Sequence, residues 1–371
     1  MESVENRRLL SLDTLRGFDM MLIMGLGSLI YAICGALPCG TECWLAQQMN
    51  HVSWNGFRIF DTIFPLFLFI AGISFPFSYA KQRSNGASTG RIHRKIIVRG
   101  LVLVLLGFIH SGLLQFHFDT VRFYSVLGRI GLAWMFAALI YVNVKRTGRI
   151  IISALILVGY ALLLCLVPAP DAPAGAGSLS LEGNLVGYVD RMLWPDHLLN
   201  RKVGFDPEGL LSTLPAIATA LLGMFTGDFV RSTKFDGNRK TLYMLAAAAV
   251  LLILGLAFSK FMPVNKKLWS STFVLVAGAY SLFMFSVFYW IIDVKGWNGW
   301  VVPFKAFGMN SITIYMLTRI VSATNISKFF FGGVASLLPE AWGEVVINAG
   351  IYGFCIFAVM FLYRHKIFLK V

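Results

Sequence analysis

His51-Val52-Ser53-Trp54-Asn55-Gly56-Phe57-Arg58-Ile59-Phe60-Asp61-Thr62-Ile63-Phe64-Pro65 leads directly into an apolar run that ends near Tyr79. His51, Asn55, Arg58 and Asp61 recur at steps of four, three and three, which is the spacing of one helical face. The expectation is a polar stripe on a helix that then enters lipid. Polar side chains at membrane depth are costly, so they usually face a bundle interior or a wet cavity and mark function. A helix-packing patch would account for any one of them. Four in register point to a site.

The totals agree with a chain that lives in lipid. Of 371 residues, 57% are hydrophobic and 13% charged, with a mean hydropathy of +0.72, whereas a soluble domain carries about 25% charge. A net charge of +14 would suit a nucleic-acid binder, but the basic residues cluster in short loops between apolar runs. That placement is the positive-inside pattern of a polytopic protein and gives no reason to invoke nucleic acid. The charged head Met1–Arg8 precedes a segment with no small-residue cleavage site, so no signal peptide is expected. Cys34, Cys39, Cys43, Cys165 and Cys355 match no zinc spacing. No metal is expected, and one disulfide among the first three is possible.

Ten runs approach the ~20 residues that a span requires: 11–34, 57–79, 96–114, 123–144, 150–167, 209–230, 242–262, 268–292, 301–322 and 345–363. Arg7 and Arg8, the loop from Lys81 to Lys95, Lys145 to Arg149, Arg231 to Lys240, Lys295, and Arg364 to Lys370 all fall on one side of such a bundle. With ten spans, both termini are then cytoplasmic and His51 lies at the outer surface. The expectation is an all-α polytopic bundle forming one transmembrane domain over 1–371, in the plasma (inner) membrane. An outer loop runs over 168–208, and 323–344 reads as an interfacial or re-entrant element. Trp194, Asp196 and His197 in the outer loop are either interfacial or part of a vestibule.

Further polar residues sit within or beside the spans. Asp13 and Arg16 open the first, either as a structural ion pair or with Arg16 holding a phosphate through its planar fork. His110 ends the third. Arg122 and Arg129 enter the fourth, where snorkelling explains the former and the deeper Arg129 suits a pocket. Asp206 reads as a helix cap with Pro207 behind it, and Pro65 and Pro215 as breaks in their spans. Asn310 and Ser311 bond across helices or touch a ligand. No phosphate-cradling glycine loop, HExxH pair, CxxC set or GxSxG elbow occurs. A histidine at a membrane surface suits general-base work. On a helix, Asp61 would stand about 15 Å from it, too far to orient its ring.

Several stretches together resemble the heparan-α-glucosaminide N-acetyltransferase family. They are Asp13-Thr14-Leu15-Arg16-Gly17, the His51–Gly56 and Asp61–Pro65 segments, Phe205–Leu210, Pro263–Ser270, and Ile292–Gly296 followed by Gly308–Ile312. They keep the same order from about residue 8 to about 320. The resemblance implies a transmembrane acyltransferase that draws acetyl-CoA from the cytosol and acetylates an amino sugar or glycan on the far side, as a homodimer. It places the family's essential histidine on His51, its first-span arginine on Arg16 and its second-span aspartate on Asp61. An asparagine that partners the histidine falls on Gly27, with Asn50 or Asn55 as replacements. The site then comprises His51, Asn55 and Asp61 for catalysis and Arg16, Arg58, Arg129, Asn310 and Ser311 for acetyl-CoA. Trp54, Asn50 and His110 face the acceptor. Arg94, Lys95 and Arg99 add charge for the CoA phosphates. The competing reading is a transporter or flippase for a sugar-like or lipid-linked solute.

Overall fold

The computed structural model describes residues 9–369. Arg7, Arg8 and Lys370, part of the charge pattern above, lie outside them. The first span is α1 (Leu10–Met21) and α2 (Gly27–Ala36), joined through a loosened turn at Leu22–Leu26 in which Gly25 takes φ +119°. A short α3 (Trp44–Gln48) precedes α4 (Ile63–Ser84), then α5 (Thr89–His110), α6 (Val126–Asn143) and α7 (Arg146–Leu166). After α8 (Leu185–Leu193) come α9 (Thr213–Arg231), α10 (Gly237–Phe258) and α11 (Ser271–Phe288). The chain ends with α12 (Val302–Met309), α13 (Ser311–Ile320), α14 (Ala323–Ser336) and α15 (Glu340–Arg364). Serine side chains start several of these: Ser88, Ser125 and Ser270 each accept a bond from a backbone N–H of the first turn.

The protein is an all-helical polytopic membrane protein. Eight helical segments among the described residues are long and apolar enough to cross a bilayer. The two remaining expected spans differ for visible reasons. α5 carries Arg94, Lys95 and Arg99, and the ninth breaks at Asn310 into α12 and α13. The expected breaks at Pro65 and Pro215 are absent. Both prolines occupy the third position of their helices, where a missing N–H removes no helical bond. The 323–344 segment holds α14, which packs along α15.

Glycine sets the closest helix contacts. A Cβ on Gly223 would lie 2.1 Å from the Phe69 carbonyl, and one on Gly72 would lie 2.3 Å from that of Ala220. α4 and α9 therefore meet backbone to backbone, as small residues permit in membranes. α1 and α12 touch the same way, with a Cβ on Gly308 only 2.0 Å from the Asp13 carbonyl. Of these four helices, α1 and α4 also wall a cavity deeper in the bundle.

Candidate active site

The helix expected to begin near His51 begins instead at Ile59, as one tight turn before α4. Residues 51–58 are loop. His51, Asn55, Arg58 and Asp61 therefore do not share one helical face, and the 15 Å separation is overturned. Gly56, at φ +129°, supplies a backbone that other residues rarely adopt and lets the loop turn back. The Arg58 amide donates to Asp61 Oδ2 at 3.2 Å, and the Arg58 guanidinium donates to the His51 carbonyl at 3.3 Å. Asp61 Oδ1 then lies 2.7 Å from His51 Nδ1. The carboxylate is buried, with its side chain 1% exposed, while the imidazole is 51% exposed. A carboxylate only accepts, so Nδ1 carries the proton and Nε2 keeps the lone pair of a base.

Phe60 lies against the imidazole with ring centroids 5.0 Å apart. It also fills the space beside Gly27, where an added Cβ would fall 2.8 Å from the Phe60 ring. Neither Asn50 nor Asn55 replaces the asparagine expected there. Asn50 is exposed, and Asn55 Oδ1 accepts from Asn265 Nδ2 at 3.1 Å. The residue that does reach the imidazole is Lys266, with Nζ 3.0 Å from Nδ1 and 3.3 Å from Nε2. It also stands 3.6 Å from Asp61 Oδ1. Burial pushes its amine below the usual lysine value, opposed by the charges of Asp61 and Glu208. In the sequence, the Pro263–Ser270 stretch stands out only through the family resemblance. No local pattern announces a contact across more than two hundred residues.

The segment before α9 forms a second polar cluster at the same end. Arg122 does not simply snorkel. It bonds Asp206 through Nε at 2.8 Å and Nη2 at 2.5 Å, and it also pairs with Glu208. Burial alone would lower its pKa, but these carboxylates raise it. Asp206 accordingly anchors this pair and does not cap a helix that starts at Thr213. Arg129 is buried beneath this segment, donating to the Gly209 carbonyl at 3.2 Å and to Ser212. Its guanidinium lies 5.1 Å from the Trp269 ring centre. Trp54 is pinned to the Leu179 carbonyl at 2.9 Å and set edge-on to Phe205. His197 stacks on Phe123.

Asp190, fully buried on α8, accepts from the Leu210 amide at 3.2 Å. Burial pushes its carboxyl up to about 7, with Asp206 adding and Tyr124 and Arg129 subtracting. A folded-state value above the unfolded one means that folding favours the protonated form. The stabilisation is therefore full below the ordinary carboxyl range and is lost as pH rises towards 7. We expect wild type to lose on the order of 2–4 kcal/mol between pH 4 and pH 8 through this group. Asp190→Asn should flatten that slope in thermal melts, and parallel slopes for the two proteins would exclude the assignment.

Deeper in the bundle, a cavity of about 180 Å³ opens between α1, α4, α5, α6 and α13. Its wall includes Phe67, Ala71, Ile130 and Tyr315, with Arg16, Arg99, Ser74 and Ser311 as polar members. Arg16 also touches Asp13 at 3.4 Å. Arg99 rests on Trp134, 4.6 Å from the ring centre. Of the residues expected to hold acetyl-CoA, Arg16 and Ser311 thus meet at this cavity. Arg58 is at the His51 end, and Arg129 is held under the α9 entry. Asn310 is buried and bonded to the Ala306 carbonyl of its own helix. His110 reaches the cavity rim indirectly, stacked on Tyr315 at 4.4 Å between centroids. Cys34, Cys39 and Cys43 are free thiols.

Comparison with known proteins supports the motif resemblance across most of the chain. It is 30% identical to the heparan-alpha-glucosaminide N-acetyltransferase of Homo sapiens over 83% of its own length and 52% of the relative's. The Mus musculus protein of the same name is 28% identical, covering 83% of this chain and 53% of the relative. The chain spans about half the length of the curated relatives it matches. No protein-family model matches it.

Proposed function

We propose that the protein transfers an acetyl group from acetyl-CoA, held from the cytosolic side, to an amine or hydroxyl of an amino sugar or glycan on the other face of the membrane. The observation that carries this reading is the pairing of an Asp61-aligned imidazole with a guanidinium-lined cavity lower on the same helices. α4 contributes to both. Asp61 lies in its entry turn, while Phe67, Ala71 and Ser74 wall the cavity, so Ser74 lies about 20 Å along the axis from Asp61.

In this reading, Arg16 and Arg99 attract the CoA phosphates from the cytosolic side. The apolar wall between them and His51 accommodates the pantetheine arm. His51 takes a proton from the acceptor as it attacks the thioester, and Asp61 stabilises the resulting imidazolium. A transporter would need no base aligned by a buried carboxylate, which favours the acyltransferase. The N-acetyltransferase activity for which the two relatives are named supports the same choice.

Acetyl-CoA at micromolar concentration should raise the melting temperature of the purified protein. Exchanging Arg16 and Arg99 for Ala should weaken that binding by on the order of tenfold or more for each lost charged contact. No stabilisation of the wild type, or equal stabilisation of the double variant, would remove the cofactor assignment.

A further inference from the structure

We infer that Lys266 is a catalytic residue of this site, the donor that stabilises the negative charge formed on the thioester oxygen. The inference rests on the acyl-transfer reading and adds to it. Nδ1 of His51 already donates to Asp61 Oδ1, so it has no lone pair to offer an ammonium. The short Nδ1 to Nζ separation follows from both groups meeting at that carboxylate oxygen, 3.6 Å from Nζ. Nε2 is different. It has a lone pair, and Lys266 Nζ stands 3.3 Å from it. At nearly equal distances from the two ring nitrogens, the ammonium lies over the imidazole face, beside the Nε2 lone pair and within reach of a carbonyl that meets the acceptor there.

Lys266 is held there by a loop with little freedom. The Asn265 side chain bonds Asn55 on one side and accepts from the Leu268 amide on the other. Its own amide donates to Ser270 Oγ at 3.0 Å. Lys267 donates to the Ser53 carbonyl at 2.7 Å, and the Gly56 amide donates to that of Val264 at 2.8 Å. Trp269, buried at φ +49°, fixes the far end through a bond to Thr219. A donor fixed before the reaction begins is what electrostatic stabilisation of an oxyanion requires.

The step balances as follows. The acceptor's nitrogen or oxygen bonds to the carbonyl carbon, and the C=O π pair moves to the oxygen, which Lys266 receives. Nε2 takes the acceptor's proton. The C=O bond then reforms, the C–S bond breaks, and the imidazolium returns the proton to the departing thiolate as CoA-SH.

The charged groups facing Lys266 are Asp61 beside the imidazole, Glu208 before α9 and Arg129 on α6. Lys266→Ala should lower kcat by about 100-fold or more while the KM for acetyl-CoA moves less than about threefold and acetyl-CoA still stabilises the protein. Lys266→Arg, which restores the charge, should recover at least a tenth of the wild-type rate. A purely structural lysine would give matching losses in both variants together with a lower melting temperature. That result, or a Lys266→Ala rate within threefold of wild type, overturns the inference. If the wild type itself transfers acetyl to no glucosamine, glucose or chitosan-oligomer acceptor, the acyl-transfer reading fails first and this inference falls with it.

Discussion

Asp61→Asn should reduce acetyl transfer by on the order of 10³–10⁴-fold, with acetyl-CoA binding retained. The size follows from what the carboxylate does for the imidazole in a histidine–carboxylate pair. At 2.7 Å, Asp61 Oδ1 can only accept, which fixes the proton on Nδ1. An amide in its place presents either an oxygen or an NH2. The backbone decides which, because the Arg58 amide must be given an acceptor at the other position. The oxygen of the substituted side chain is drawn to that amide, and its NH2 faces His51. Nδ1 must then accept, the proton moves to Nε2, and the lone pair needed for the acceptor's proton is gone. The shape of the site is preserved while its chemistry is lost. Steady-state transfer at pH 7, read beside the melting shift given by acetyl-CoA, separates these effects. A variant that kept a tenth of wild-type turnover would show that the imidazole does not depend on this carboxylate.

The sequence disclosed the spans well and the site only in part, for reasons that can be traced to particular residues. Apolar length locates helices because lipid admits little else, and each of the ten expected runs contains helix. What periodicity could not show was the break at residues 51–58. A spacing of four, three and three is equally compatible with a loop turned by one glycine at positive φ, and Gly56 looks like any other glycine in the sequence. The loop brings to 2.7 Å two groups that a continuous helix would hold about 15 Å apart. Lys266 was hidden for another reason. Its neighbours are His51 and Asp61, reached only when the 263–270 loop crosses the mouth of the bundle. Arg122 was hidden in the same way, since Asp206 and Glu208 arrive from a segment more than eighty residues later. Arg16 and Ser311 were legible because a polar residue deep in an apolar run is itself the signal.

Removing the imidazole altogether is the sharpest test, since every proposed proton transfer passes through His51 Nε2. His51→Ala should lower transfer by about 10²–10⁴-fold without weakening acetyl-CoA binding, because Arg16 and Arg99 line a different part of the bundle. The fold should tolerate the change. The ring is half exposed, and its loop is also held by the Asp61 bond to the Arg58 amide and by the Gly56 bond to Val264. The same residue also separates two routes. If Nε2 is a base, wild type mixed with radiolabelled acetyl-CoA and no acceptor should retain no label after denaturation. If Nε2 is the nucleophile, one acetyl group per chain should be trapped as an acyl-imidazole and vanish in the Ala variant. Asp61 occupies Nδ1 in both routes, so a labelled ring must carry its acetyl on Nε2. Full turnover by His51→Ala would place the chemistry elsewhere, and the Asp61 and Lys266 contacts would then have to be read as packing around a polar mouth.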